Sequence, residues 1–179
     1  MIKLIIGAVI VTVITIGAFL FLDPSVGIAK IGTQDVTEVD SHSFSISVEG
    51  EVYKPGTYSL EEGATMADLI EAAGGVTSAA DDRAYYESAV LQSNMTYYIA
   101  SKYDPLDVCG SSELDKVNIN IDNATTLATV NGISTSLANA IVTYRSENGL
   151  FSTLEAVMQV SGIGSATYKK IRNYIYLHA

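Results

Sequence analysis

The sequence predicts an α+β protein in three parts: an N-terminal transmembrane helix, a small mixed domain, and an all-α domain of two helical hairpins. Three observations predict this order. Residues 4–22 are apolar and uncharged, strand-like alternation occupies the middle of the chain, and helical periodicity surrounds two glycine turns near its end. The predicted boundaries are an anchor at 4–22, a linker at 23–43, a mixed domain at 44–101, a linker at 102–116 and the all-α domain at 117–179.

The apolar run 4–22 has the length of a membrane span. Its 19 residues carry no charge and would form ~28 Å of helix, close to the thickness of a hydrocarbon core. A cleaved signal peptide is the alternative, but Asp-Pro-Ser follows the run where small residues would mark a cleavage site. We therefore expect a single-pass protein of the cell membrane. Lys3 favours an extracytoplasmic C-terminal part, although Lys30 leaves a cytoplasmic orientation open.

The negative charge of the chain is concentrated in its middle. The whole sequence has a formal net charge of −10. Residues 31–116 carry 16 acidic and 4 basic side chains, whereas residues 117–179 carry 3 acidic and 4 basic ones. The acidic residues lack the spacing of a calcium loop and have no histidine companions, which favours a solvated surface over a metal or catalytic site. We expect this surface to repel a polyanion and leave it to the terminal domain.

No residue pattern predicts catalysis, a cofactor or a metal site. Cys109 is the only cysteine, so it is either an inert small residue or one half of an intermolecular disulfide. His42 and His178 are far apart in the sequence and have no ligand-type neighbours at metal-binding spacing. We expect a non-enzyme without cofactors.

The mixed domain is predicted to begin with a β-hairpin. Residues 45–60 alternate apolar and polar side chains on either side of a Lys-Pro-Gly turn at 54–56. ATMADLIEAAGGV, residues 64–76, has the pattern of an amphipathic helix that stops at its two glycines. The runs AVLQSN (89–94) and MTYYIA (95–100) contain further strand-like residues.

The terminal domain contains one helical unit twice. VNGISTSLANAIVTYR from Val130 aligns with VSGIGSATYKKIRNYI from Val160, so the repeat has a period of 30 residues with a glycine turn in each copy. Apolar residues after each turn recur at helical spacing. The tail is therefore predicted to form four short helices in two hairpins.

Capping signals predict where these helices begin and end. Asp122 or Asn123 is expected to cap the first helix. Asn148-Gly149 should end the second helix. Ser-Thr-Leu-Glu at 152–155 has the spacing of a capping box, which would begin a helix that extends to about Val160.

Each turn of the repeat has the features of a phosphate-binding site. Glycines permit positive φ angles and close approach of another chain, and the following helix directs free N–H groups and the positive end of its dipole at the turn. A phosphate oxygen fits there without any base being read. A simple turn between helices is the alternative, but two copies in register, with basic residues after the second, favour phosphate binding. The candidate contact residues are Asn131, Gly132, Ile133, Ser134, Thr135, Arg145, Ser161, Gly162, Ile163, Gly164, Ser165, Lys169, Lys170 and Arg172.

The tail resembles the helix-hairpin-helix domain of the ComEA family, the DNA receptors of bacterial competence. The resemblance covers residues 117–176 and depends on Val-Asn-Ile-Asn at its start, Tyr-Arg before an Asn-Gly loop, and Val-Ser-Gly-Ile-Gly in the second turn. It implies sequence-independent binding of double-stranded DNA through the hairpin backbones, and delivery of that DNA to an uptake channel protein during transformation.

The first turn departs from the family pattern at Ser134, where the family usually has glycine. We expect this residue at a left-handed position, at a cost of roughly 1 kcal/mol. Its side chain should also limit backbone approach. The first hairpin is therefore predicted to be the weaker phosphate site.

The mixed domain resembles the SLBB domain, a small β-grasp module, in V-x-G-x-V-x-x-P-G-x-Y at 48–58 and E-A-A-G-G-V at 71–76. Such modules contact proteins, saccharides or other ligands, and self-association through this domain is one expectation. The competing hypothesis for the whole chain is an envelope adaptor whose SLBB-like domain binds protein or polysaccharide and whose tail contacts protein. The near-neutral tail supports that hypothesis, because many DNA-binding domains are strongly basic.

Overall fold

The computed structural model describes residues 43–104 and 112–179, which belong to one compact unit extending from residue 42 to residue 179. The predicted anchor at 4–22 and nearly all of the linker at 23–43 lie outside the described residues, as do residues 105–111 of the second linker. Within the two described ranges, no helix is both long enough and apolar enough to cross a membrane.

The first domain is built on a three-stranded sheet. Strands β1 (Ser43–Gly50) and β2 (Gly56–Glu61) pair antiparallel, and β3 (Thr96–Ile99) lies parallel to β1 along its other edge. The predicted β-hairpin and the strand expected within residues 95–100 are confirmed.

The run 89–94 is not a strand, contrary to its composition. It contributes one isolated bridge, between Val90 and Thr65. Asn94 then takes a positive φ of 59° and redirects the chain into β3. These residues lead into β3, and the turn at Asn94 prevents them from forming a continuous strand despite their composition.

Helix α1 (Met66–Ala72) packs its buried residues into the core beneath the sheet. It begins with a reciprocal cap, in which the N–H of Thr65 donates to the carboxylate of Asp68 at 2.7 Å. The two glycines that follow the helix have φ angles of 80° and 96°. The predicted helix and its glycine stop are thus confirmed.

The terminal domain contains three α-helices and one 3₁₀ segment, which together form the two hairpins. Asn123 caps the first helix, as predicted, by accepting the N–H of Thr126 at 3.0 Å. Gly149, with a φ of 90°, follows the last residue of the second helix, also as predicted. The elements are β4 (Val117–Asn118), α2 (Ala124–Leu127), α3 (Thr135–Asn148), the 3₁₀ segment Glu155–Gln159, α4 (Ser165–Ile171) and β5 (Ile175–Tyr176), with β4 and β5 paired in parallel.

The capping box predicted at residues 152–155 is wrong. Leu154, at the start of the 3₁₀ segment, makes no side-chain cap; Oγ1 of Thr153 accepts the N–H of Ala156 at 3.3 Å, and Glu155 is only 3% exposed. Its Oε1 accepts the hydroxyl of Tyr168 at 2.6 Å and the backbone N–H of Tyr98 at 2.8 Å. Burial raises the pKa of Glu155, against the lowering effect of these hydrogen bonds. The carboxylate therefore points into the interior, where it accepts hydrogen bonds from two donors, and does not form the predicted capping box.

The two domains share a buried boundary. Ala84 and Ala100 of the first domain belong to the apolar core of the terminal domain. The Lys116 side chain, 1% exposed, forms an ion pair with Asp81 at 2.7 Å. Residues 112–116 of the predicted second linker therefore include a buried contact between the domains.

Candidate nucleic-acid interface

The two glycine turns have the same conformation. In the first, the N–H of Ile133 donates to the carbonyl of Val130 at 3.0 Å, and in the second the N–H of Ile163 donates to the carbonyl of Val160 at 3.0 Å. Gly132 in the first turn and Gly162 in the second have positive φ angles, of 108° and 94°. Both isoleucines are buried, so they anchor the turns rather than face a ligand.

Each turn packs against the helix that follows the other turn. A Cβ placed on Gly132 would lie 3.1 Å from Ile171 Cγ2, and one placed on Gly162 would lie 3.3 Å from Leu137 Cδ1. The two hairpins therefore interlock, and their tips belong to one surface. Leu137 and Ile171 were not among the predicted site residues, because a repeat reveals equivalent positions but not how the copies pack together.

Ser134 is not at a left-handed position, so the strain predicted there is wrong. Its φ is −72° and its ψ 161°, an extended conformation open to any residue, and its Oγ accepts the N–H of Leu137 at 3.2 Å. Gly164 holds the same place in the second turn, with a φ of −90° and no side-chain cap. Serine thus satisfies a helix N–H in the first hairpin that the second hairpin has no side chain to satisfy.

The tips of both hairpins expose backbone and small polar side chains. In the described part of the chain, the N–H groups of Gly132, Ser134, Gly162 and Gly164 have no hydrogen-bond acceptor. Exposed, unpaired N–H groups close to two helix starts are suited to anionic oxygens. The predicted contact residues that lie exposed at the tips are Asn131, Gly132, Ser134, Thr135, Ser161, Gly162, Gly164 and Ser165.

Lys169 and Lys170 add exposed positive charge on α4. Neither ammonium group has an ion-pair partner among residues 43–104 and 112–179. The Cβ of Lys170 lies 3.7 Å from a Cβ placed on Gly132. The Cβ of Lys170 therefore lies beside the first hairpin, although Lys170 follows the second hairpin in sequence.

The two predicted arginine contacts are bound elsewhere. Arg145 donates to the carbonyls of Ile119 at 2.6 Å and Asp122 at 2.7 Å. Its guanidinium thus holds the segment before α2 against α3. Arg172 lies over the ring of Tyr98 and pairs with the carboxylate of Glu49, both from the first domain. We therefore remove both arginines from the candidate interface. Local sequence carried no signal for Tyr98 or Glu49.

Comparison with known proteins agrees with this two-domain reading. The family model described as "SLBB domain" matches residues 45–90, and that described as "Helix-hairpin-helix motif" matches residues 112–176. An uncharacterized protein of Haemophilus influenzae is 42% identical over 62 residues, 34% of this chain and 55% of that protein. The mouse endonuclease/exonuclease/phosphatase family domain-containing protein 1 is 36% identical over 61 residues, which are 34% of this chain and 11% of that protein.

A further relative is similar over most of the chain. ComE operon protein 1 of Bacillus subtilis (strain 168) is 35% identical over 139 residues, which are 73% of this chain and 68% of that protein. An SLBB domain followed by a helix-hairpin-helix domain is the arrangement that the sequence motifs predicted. On these grounds, the chain belongs to the ComEA family.

Proposed function

We propose that this protein binds exogenous double-stranded DNA without sequence specificity and passes it to an uptake channel during natural transformation. The observation that carries the proposal is the pair of interlocked turns, which present unpaired N–H groups beside Lys169 and Lys170. Family membership supports the role in competence. Display outside the cell on a membrane anchor at residues 4–22 completes the proposal.

Sequence independence follows from the chemistry of the hairpin tips. Backbone N–H groups donate to phosphate oxygens, which are the same at every base pair. The side chains at the tips are short serines, a threonine and an asparagine. Asn131 is the one tip side chain suited to a bidentate contact with a base edge, and residues 131–135 and 161–165 contain no arginine, lysine or glutamine, so discrimination between bases should be small.

The charge of the protein sets the strength of binding. With Arg145 and Arg172 engaged, the two lysines of α4 supply the free positive charge of the described interface. Neutralisation of two or three phosphates would give a slope of about −2 to −3 in log K against log salt concentration. Affinity per protomer should then be weak, and several receptors clustered on one membrane would raise it through avidity.

The test is a binding titration of the full chain in detergent micelles. Two unrelated duplexes of equal length are titrated at several salt concentrations, beside a Lys169→Glu/Lys170→Glu variant. We expect equal affinities for the two duplexes, a slope in the range above, and at least about tenfold weaker binding by the variant at low salt. Absence of duplex binding would refute the proposal and favour the adaptor hypothesis, in which the tail contacts protein.

A further inference from the structure

Helix α4 needs support from outside its own sequence. It has seven residues, Ser165–Ile171, and a helix of this length is not stable alone in water. The terminal domain holds its inner side through the buried residues Tyr168 and Ile171. The residues immediately after the helix contact the first domain instead.

Tyr98 of β3 is the centre of that second contact. Its hydroxyl donates to Oδ1 of Asn173 at 2.8 Å. Its ring lies beneath the guanidinium of Arg172, 3.6 Å from the ring centroid. One side chain of the first domain therefore holds both residues that follow α4.

The sheet places a carboxylate beside this tyrosine. Glu49 of β1 and Tyr98 of β3 are direct partners in the parallel register, so their side chains stand next to each other. The carboxylate of Glu49 lies 3.4 Å from Nη1 of Arg172. The guanidinium is thereby held by an anion and by the negative face of an aromatic ring, two interactions that fix its position.

The backbone of Tyr98 reaches the helix by a second route. Its N–H donates to Oε1 of Glu155 at 2.8 Å, and the same oxygen accepts the hydroxyl of Tyr168 at 2.6 Å. Tyr168 belongs to α4, so the helix is tied to β3 both from within and from its C-terminal end. Glu155 and Tyr168 are buried and Tyr98 is half-buried, which makes the loss of either hydrogen bond costly.

We propose that Tyr98 is a positioning residue for DNA binding: the SLBB-like domain, acting through this tyrosine, fixes the orientation of α4 and its two lysines without contacting DNA. The inference rests on the proposed function. It gives the SLBB-like domain a part in DNA binding that is separate from any ligand of its own. Loss of the Tyr98 contacts should make α4 more mobile. Ordering the helix on the duplex would then cost conformational entropy, and this cost would weaken the affinity.

The experiment compares full-length Tyr98→Ala and Tyr98→Phe with Tyr53→Ala. Tyr53 is a tyrosine of the same domain that is 67% exposed, and it serves as the matched control. Duplex affinity, its salt dependence and hydrogen exchange of the amides of residues 165–173 are measured. We expect Tyr98→Ala to weaken binding about 2- to 10-fold and to raise exchange in α4. Tyr98→Phe, which keeps the ring, should have a smaller effect, and Tyr53→Ala none.

The salt slope separates positioning from contact with DNA. Because no cation is removed, the slope for Tyr98→Ala should equal that of the wild type although its affinity is lower. Weaker binding with unchanged exchange in α4 would mean that Tyr98 touches DNA itself, and would overturn the proposal. Wild-type affinity together with wild-type exchange would also overturn it.

Two further variants, Asn173→Ala and the double variant Tyr98→Phe/Asn173→Ala, test the proposal even if Tyr98→Ala does not fold. Asn173→Ala removes the same hydrogen bond as Tyr98→Phe, from the other side. If that bond couples the domains, each variant should raise exchange in α4 and the double variant should be no worse than either one, whereas additive effects would overturn the coupling. If the wild type fails to bind duplexes, the proposed function fails, and exchange in α4 still decides whether Tyr98 orients the helix.

Discussion

Gly132 in the first hairpin lies against Ile171 at the end of α4, so that a Cβ on this glycine would stand 3.1 Å from Ile171 Cγ2. Gly132 also has a φ of 108°. Two separate costs therefore oppose any side chain at this position, backbone strain and a steric clash. A matched substitution can separate them: Gly63 holds the same place in a turn closed by the N–H of Ala64 on the carbonyl of Glu61, with a φ of 88° and no atom within 4 Å of an added Cβ.

We predict that Gly132→Ala lowers the free energy of unfolding by about 2–4 kcal/mol, the sum of strain and overpacking. Gly63→Ala should lower it by only about 1–2 kcal/mol, since strain acts there alone. Urea denaturation of the two variants in the same detergent provides the comparison. Equal losses would mean that Ile171 moves aside freely and that the hairpins do not interlock tightly.

The caps of the two hairpins should respond in opposite ways to exchange of their residues. Ser134 caps the N–H of Leu137, while Gly164 has no side chain to do so. Gly164→Ser should stabilise the fold by about 0.3 kcal/mol, and Ser134→Gly should destabilise it by a similar amount. The freed N–H should leave duplex affinity of Ser134→Gly equal to, or up to about twofold above, that of the wild type. A clear loss of affinity would show instead that the serine hydroxyl itself meets DNA.

The basic residues should divide into binding and structural groups. Lys170→Gln removes a free charge, so the salt slope should become shallower by about 1 with stability unchanged. Arg145→Gln should leave the slope as it is but lower the free energy of unfolding by about 1–3 kcal/mol, because two partly buried carbonyls lose their charged donor. Salt titrations and urea denaturation on both variants test this division. The reverse pattern would place Arg145 on the DNA.

Short-range features of this fold were predictable because neighbouring residues determine them. The cap at Asn123 and the helix end at Gly149 each depend on a single residue type with a defined backbone preference. The β-hairpin and α1 follow from alternation and helical periodicity over a few turns. The repeat also predicted correctly that residues 134 and 164 are equivalent, but the left-handed conformation expected at Ser134 belongs instead to Gly132, with Gly162 as its counterpart in the second turn.

The interface between the domains could not be predicted in this way. Glu155 fits a capping box by spacing, and Arg172 extends a basic cluster by position. The structure directs both toward Tyr98, a residue far away in sequence. Which of two competing partners a polar side chain takes depends on desolvation and on tertiary packing. A local pattern contains neither.

A buried ion pair at the domain boundary should make stability depend on pH at its acidic end. The side chains of Asp81 and Lys116 are 0% and 1% exposed, and their charged atoms are 2.7 Å apart. Arg83 pairs with the same carboxylate at 2.9 Å. Burial acts to raise the pKa of Asp81, but the hydrogen bonds and charges of these two cations outweigh it and lower the pKa to about 2.

The folded-state pKa of Asp81 is below its ordinary value of 3.8, so its stabilising effect is full above about pH 4 and is lost as pH falls toward 2. We predict that Asp81→Asn costs about 3–5 kcal/mol at pH 6, because Lys116 is left buried without its anion. The cost should shrink by about 1.5 kcal/mol at pH 2.5, because Asp81 is then protonated in the unfolded wild type, where its pKa is near 3.8, and this favours unfolding. Asp82→Asn is the control: its carboxylate is 79% exposed, and its effect should stay within about 0.5 kcal/mol at both pH values. Urea denaturation at the two pH values decides the matter, since an equal cost of Asp81→Asn at both would mean that folding does not lower the pKa of Asp81.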